Sequence, residues 1–371
     1  MNRSAHRPQN ERIPRACIVL FALALVCAAL TVAFRLSPDF ADGFNRFVSQ
    51  PLRAALGTLT SPLPFSLSEG ILLFSPVALV LLIAYAVRNC CTSWRAVGVY
   101  LLKLLSFACV LFILFVLVFN AGYFGATLSH ESKLDLDRQK VSADDLYQTA
   151  LHLTDALSRE ADNIRYLPQS FSVMPYTLDE LNEKLMDAYD KLCAEHAFLG
   201  HFDSRVKPVM LSVPMSYTHI TGVYSFFTGE ANLNVDFPDY TLPFTAAHEL
   251  AHQRGIARED EANFIAYLVC IGSDDPYIRY SGYLNMYEYV ASPLYRADDE
   301  LYYEARDRLS HEVKYEQRAY SEFFDRYRDS VAGEVSGTVN DTYLKLQGTE
   351  GTRSYGLVVD LAVAYDKKMN Q

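Results

Sequence analysis

The residues best placed to do chemistry lie at His248-Glu249-Leu250-Ala251-His252. Residues four apart share one face of a helix, so both imidazoles can reach a single metal ion. Glu249, one residue on from His248, can then hold a water that the metal polarises, which is how a zinc hydrolase makes a nucleophile at neutral pH. The plainer alternative is an ordinary surface helix on which two histidines and a glutamate happen to fall. Local context favours a defined helix: Pro243 sits where a first turn tolerates it, and Gly255 stands just past the last turn as a stop.

A catalytic zinc needs a third protein ligand and one open position. Arg258 occupies the position where a third histidine stands in another zinc-peptidase pattern, and a cation cannot ligate. Glu259-Asp260-Glu261-Ala262-Asn263 follows and opens a second apolar helix. Glu259 is the expected ligand and Glu261 its competitor; Asn263, four residues after Glu259, would orient a histidine's second nitrogen. Acidic residues at a helix N-terminus also answer the helix dipole with no metal present.

The His-Glu-Leu-Ala-His segment followed by Glu-x-x-Ala-Asn resembles the gluzincin pattern, in which a glutamate one turn before an Ala-Asn or Ala-Asp pair supplies the third ligand. A larger stretch resembles an uncharacterised bacterial membrane-protein family, domain of unknown function 3810. It comprises the three-span leader, the run from His248 to Leu268, and the late Tyr343-Leu-Lys-Leu-Gln-Gly and Ser354-Tyr355-Gly segments. The resemblance implies a membrane-anchored zinc metallopeptidase and brings no substrate with it.

The elements that position these residues can be read outward from them. Before the motif, Lys207 to Asp236 alternates apolar and polar residues with Gly222 and Gly229 between, which predicts two or three strands and a hairpin near Thr228-Gly229-Glu230. By analogy with zincins, Glu230, Ala231, Asn232 and Leu233 are expected to form an exposed edge of a small antiparallel sheet, where an extended peptide substrate could add. Ser142-x-x-Asp145 and Thr177-x-x-Glu180 predict capped helices near 143–165 and 178–197. After Cys270 the chain reads as helical and tyrosine-rich, with one long charged helix near 296–330. Tyr355 is the expected donor to the oxyanion of a tetrahedral intermediate.

Three apolar runs, about 16–34, 70–87 and 97–119, are each long enough to cross a bilayer. The basic leader before the first run also fits a signal peptide, although no clear cleavage site follows. Six arginines in the leader and the Arg88 to Arg95 loop, against three between Arg35 and Glu69, place the N-terminus (1–15) in the cytoplasm. Residues 16–120 then form the membrane region of a multi-pass plasma-membrane protein, and 121–371 an extracytoplasmic α+β, mostly helical zincin-like domain. Cys193 and Cys270 would share that oxidising side and could pair.

Across the 371 residues, 50% are apolar and 13% aromatic, which excludes general disorder. A net charge of −11 without a basic stripe argues against nucleic acid as a partner, and no nucleotide-binding glycine pattern occurs. The expected function is zinc-dependent hydrolysis of peptide bonds. The alternative is a silent or structural-zinc envelope protein that binds or senses a partner. The residues carry no signal for oligomeric state.

Overall fold

The computed structural model describes residues 12–89, 93–138, 140–168, 171–349 and 357–370. Tyr355, Ser354 and the Cys90-Cys91 pair lie outside the described residues.

Among the described residues, three helices are long and apolar enough to cross a membrane: α1 (Arg15–Leu36), α4 (Leu67–Asn89) and α5 (Trp94–Val118). They match the three apolar runs of the sequence. α1 and α5 lie side by side and parallel, since Cys17 meets Ser106 at one end and Thr31 meets Asn120 at the other.

The stretch between α1 and α4 is mostly helical. It contains α2 (Pro38–Phe44), a π-helical turn and α3 (Gln50–Thr60). Ser37 caps α2 and Pro51 sits in the first turn of α3. Arg53, fully buried, donates to the carbonyl of Val118 at the end of α5 and to Asn45.

The rest of the chain builds one core that runs in sequence from Leu128 to Ala364. α6 (Ala143–Ala161) and α7 (Leu178–Glu195) both begin with a complete capping box, Ser142 with Asp145 and Thr177 with Glu180, as their spacing predicts. Each buries one stripe, Leu146, Ala150, Leu153 and Leu157 on α6 and Leu181, Leu185, Ala188 and Leu192 on α7. At the centre lie α9 (Thr241–Gln253) and α10 (Glu259–Ile271), helices buried almost all round. Small residues such as Ala246, Ala247, Ala251, Ala262 and Ala266 let them pack closely. α11 (Pro276–Ala297) and α15 (Val358–Met369) pack against this pair.

The sheet corrects two expectations. β1 (Val206–Pro208), β2 (Gly222–Ser225) and β3 (Glu230–Leu233) form a mixed sheet in the order β1-β3-β2, not an antiparallel one. The hairpin is where it was expected, with Gly229 in the left-handed region at φ 72°. β3 is the middle strand, however, hydrogen-bonded on both sides and buried at every residue. The segment 230–233 is therefore not an edge that a peptide could join. The outer strands are β1 and β2.

Three smaller differences follow. The charged stretch near 296–330 is two helices, α12 (Asp299–Asp307) and α13 (His311–Asp325), because Ser310 caps a new start. α14 (Val331–Leu346) comes next and is exposed along most of its length. Cys193 and Cys270 remain separate thiols: Cys193 Sγ lies on the Gly200 carbonyl, and Cys270 packs against Gly282.

Candidate metal centre

α9 and α10 meet at a sharp turn made by Arg254-Gly255, and this turn converts sequence neighbours into facing side chains. Gly255 has φ 97°, and a Cβ there would lie 2.1 Å from Arg53 Nη2. Only glycine satisfies both constraints. One turn of α9 separates His248 from His252, and the first residue of α10 is Glu259.

Glu259 Oε2 lies 3.3 Å from His248 Nε2 and 3.5 Å from His252 Nε2. One ligand atom from each of the three lies within 4.8 Å of the others. Atoms about 2.0–2.1 Å from a tetrahedral zinc lie about 3.3 Å apart, so the donor set fits that ion in both type and spacing. His252 Nδ1 donates to the carbonyl of Ile256 at 2.7 Å, which leaves Nε2 to face the cluster. His248 Nδ1 and Glu249 Oε2 are buried and find no partner among the described residues. Buried polar atoms are normally paired, and a site that takes up an ion, a water or a substrate accounts for such exceptions.

Glu261 is elsewhere. Its carboxylate takes the Arg258 guanidinium at 3.0 Å and the Leu128 amide at 2.9 Å. Asn263 lines the cavity but bonds neither histidine; it neighbours the hydroxyl of Tyr289, and the Ile256 carbonyl has the orienting position expected of it.

The charges in the cluster hold one another. Burial opposes charge on His252, yet the Glu259 carboxylate outweighs it and lifts the imidazole to about 9. Burial likewise pushes Glu259 up, and the two histidines pull it well below the usual carboxylate range. On Glu249, burial prevails over the histidines and the net direction is upward.

The cluster forms one wall of a cavity of about 950 Å³. β2 packs on α9 and also lines the cavity, and its Gly222 gives the space that Glu249 fills: a Cβ at 222 would stand 2.6 Å from Glu249 Oε1. The Tyr224 amide donates to Glu249. Tyr343 of α14 enters from above, hydrogen-bonded to Tyr123 at 3.0 Å. Burial raises Tyr343 to about 12, with the Glu259 charge adding to that, so its phenol is a neutral donor near the cluster. Phe119, Tyr289 and Glu288 also line the space. Sequence spacing pointed to none of these, although Tyr343 heads one of the segments that carry the family resemblance.

Glu230, expected to meet substrate, is instead a buried anchor. Its side chain is 0% exposed, and it pairs with Lys207 Nζ at 2.6 Å. It also accepts the amides of Leu67 and Ser68 at the start of α4. Burial raises its pKa, and the Lys207 ammonium and the two amides bring it below the ordinary value. Asn232 is buried in the same sheet and donates to the Val223 carbonyl, while Ala231 and Leu233 belong to the core.

Neither a curated protein nor a solved structure matches the chain. Residues 43–363 match the family described as Protein of unknown function (DUF3810), and the chain belongs to it.

Proposed function

We propose that this member of the DUF3810 family is a membrane-anchored, zinc-dependent metallopeptidase with a gluzincin-like site, its C-terminal zincin-like domain outside the cytoplasm. The observation that carries this reading is the convergence of His248, His252 and Glu259 beside Glu249 on the wall of a large cavity. The arginine distribution of the sequence supports the orientation.

His248 Nε2, His252 Nε2 and the Glu259 carboxylate would hold the ion. Zinc bound there would supply a Lewis acid that makes water a nucleophile near neutral pH and polarises a carbonyl. Glu249 takes the proton of the attacking water and returns it to the leaving amine. Tyr343 donates to the oxygen that gains charge, the role the sequence assigned to Tyr355. An extended peptide lies along the outer edge of β2, beside Gly222 and Val223.

The test is metal content and peptide hydrolysis of the purified full chain. Near-stoichiometric zinc in the wild type and in Glu261→Gln, lost in His252→Ala and Glu259→Ala, supports the ligand set. Glu249→Gln should keep zinc and lose about 10²–10⁴-fold in kcat. Zinc retained with Glu249→Gln fully active would favour the structural-zinc alternative, and no zinc under metal-replete conditions would sink both.

A further inference from the structure

The cavity is built against the ends of the apolar helices. Phe119 follows the last residue of α5, and its ring lies 6.0 Å from the His252 ring and 5.3 Å from that of Tyr224. One turn inside α5, Phe115 packs edge-on against Phe226 at 5.4 Å and Tyr343 at 6.3 Å, and both partners line the cavity. At the end of α1, Arg35 donates to the Leu346 carbonyl, the last of α14. At the start of α4, Glu69 accepts the amides of Met210 and Leu211. The end of α5 thus forms part of the cavity wall, the end of α1 meets α14, which also lines it, and the start of α4 is tied to the segment just after β1.

The cavity's rim is apolar where it meets solvent. Val223 on β2 and Val339 on α14 both line it, and they are 45% and 63% exposed. The stripe continues along α14 through Val335 and Val331, and beside Glu69 through Met210 and Val213, all of them exposed. An exposed apolar surface of this kind, continuous with membrane helices, fits the acyl chain and headgroup boundary. The headgroup layer is about 5–8 Å thick on each side of the hydrocarbon, and the ring of Phe119, just past the end of α5, is in direct contact with that of His252.

We infer that the cleft opens into the bilayer surface and that its substrates are polypeptides anchored in the same bilayer, cut close to the anchor. This rests on the peptidase reading given above. An extended chain advances about 3.3 Å per residue, so a bond presented within the headgroup layer lies about two residues outside the anchor. Anchoring raises the substrate's effective concentration at the mouth without any added contact. A transmembrane helix or a lipid chain would serve alike.

Two measurements on the full chain in phosphatidylcholine and phosphatidylglycerol vesicles test this. In a Trp94→Phe background, which removes the chain's single tryptophan, Val339→Trp reports depth. Emission quenched by lipids brominated near the headgroup, and shielded from aqueous acrylamide, supports the inference; full acrylamide access without bromine quenching overturns it. Val335→Trp serves if the first variant does not fold. The second measurement compares one degenerate peptide library presented free, on an acyl anchor and on a transmembrane helix, with spacers of about three or about twenty residues. Anchored, short-spacer peptides should be cut about tenfold faster than free ones at equal total concentration. A preference for one anchor identifies its source, and equal rates in all arms overturn the proposal. Absence of cleavage in every arm refutes the peptidase reading and the substrate class with it, while the quenching result still decides where the mouth lies.

Discussion

Glu230→Gln separates a structural carboxylate from a substrate-binding one. In the folded protein Glu230 and Lys207 are 0% and 1% exposed and 2.6 Å apart. Removing one partner of a buried pair leaves the other charge uncompensated, at about 3–5 kcal/mol. A glutamine oxygen can keep one of the two amides of Leu67 and Ser68 but presents its NH₂ group to the other, adding about 1 kcal/mol. Thermal unfolding of the purified full chain in detergent should therefore show Tm lowered by about 8–24 °C, at about 2–4 °C per kcal/mol for a domain of this size. Adding Lys207→Met should recover most of the loss, since no stranded charge remains. The pH dependence has a definite sign. Glu230 has its pKa depressed in the fold, so its contribution is present above the ordinary carboxylate value of 4.5 and disappears as pH falls through the folded value. A Glu230→Gln protein with Tm within about 2 °C of wild type but a tenfold lower kcat/KM would refute this reasoning and return the residue to the substrate.

Two further substitutions probe the cavity. Gly222→Ala would bring a Cβ within 2.9 Å of three atoms of the Glu249 side chain; kcat should fall about 10²-fold with zinc content and Tm near wild type, and activity within twofold would show that Glu249 is not positioned by β2. Glu288 on the cavity wall is pushed by burial up to about 7. Its neutral form favours folding below the ordinary value of 4.5, and that contribution is lost as pH rises through about 7, at about 2 kcal/mol after allowance for solvent at the wall. Glu288→Gln should thus gain stability over wild type between pH 5 and pH 8, and superimposable curves of Tm against pH would reject the assignment.

What the sequence revealed was local. The two histidines, the capping boxes, the stop at Gly255 and the three apolar runs depend on spacings of a few residues or on run length, and each stands where it was read. The choice between Glu259 and Glu261 could not be made locally, because both lie in the first turn of the same helix. The packing of α10 on α9 turns Glu259 toward the histidines and Glu261 toward Arg258. β3 was misread because β1 is only three residues long, too short for a periodic pattern, and its pairing hides the edge. The Lys207–Glu230 pair joins residues with no recognisable spacing between them. Tyr343 and Phe119 reach the cavity from opposite ends of the chain, so only the closed fold brings them there.

The way the apolar helices attach to the domain bears on how the site can work. A flexible tether would let the domain sample many heights above the bilayer. Here the attachments are specific polar contacts: Glu230 on the first amides of α4, Glu69 on the amides of Met210 and Leu211, and the buried Arg53 between Val118 and Asn45. Asn45 in turn donates to the carbonyl of Gly255, at the turn that brings Glu259 to the histidines. The end of α5 and the geometry of the candidate ligands are thus held by the same two side chains. A loosened Arg53 would displace the cavity relative to α5 and disturb the cluster at once, so the placement of the apolar helices and the ligand geometry are set together.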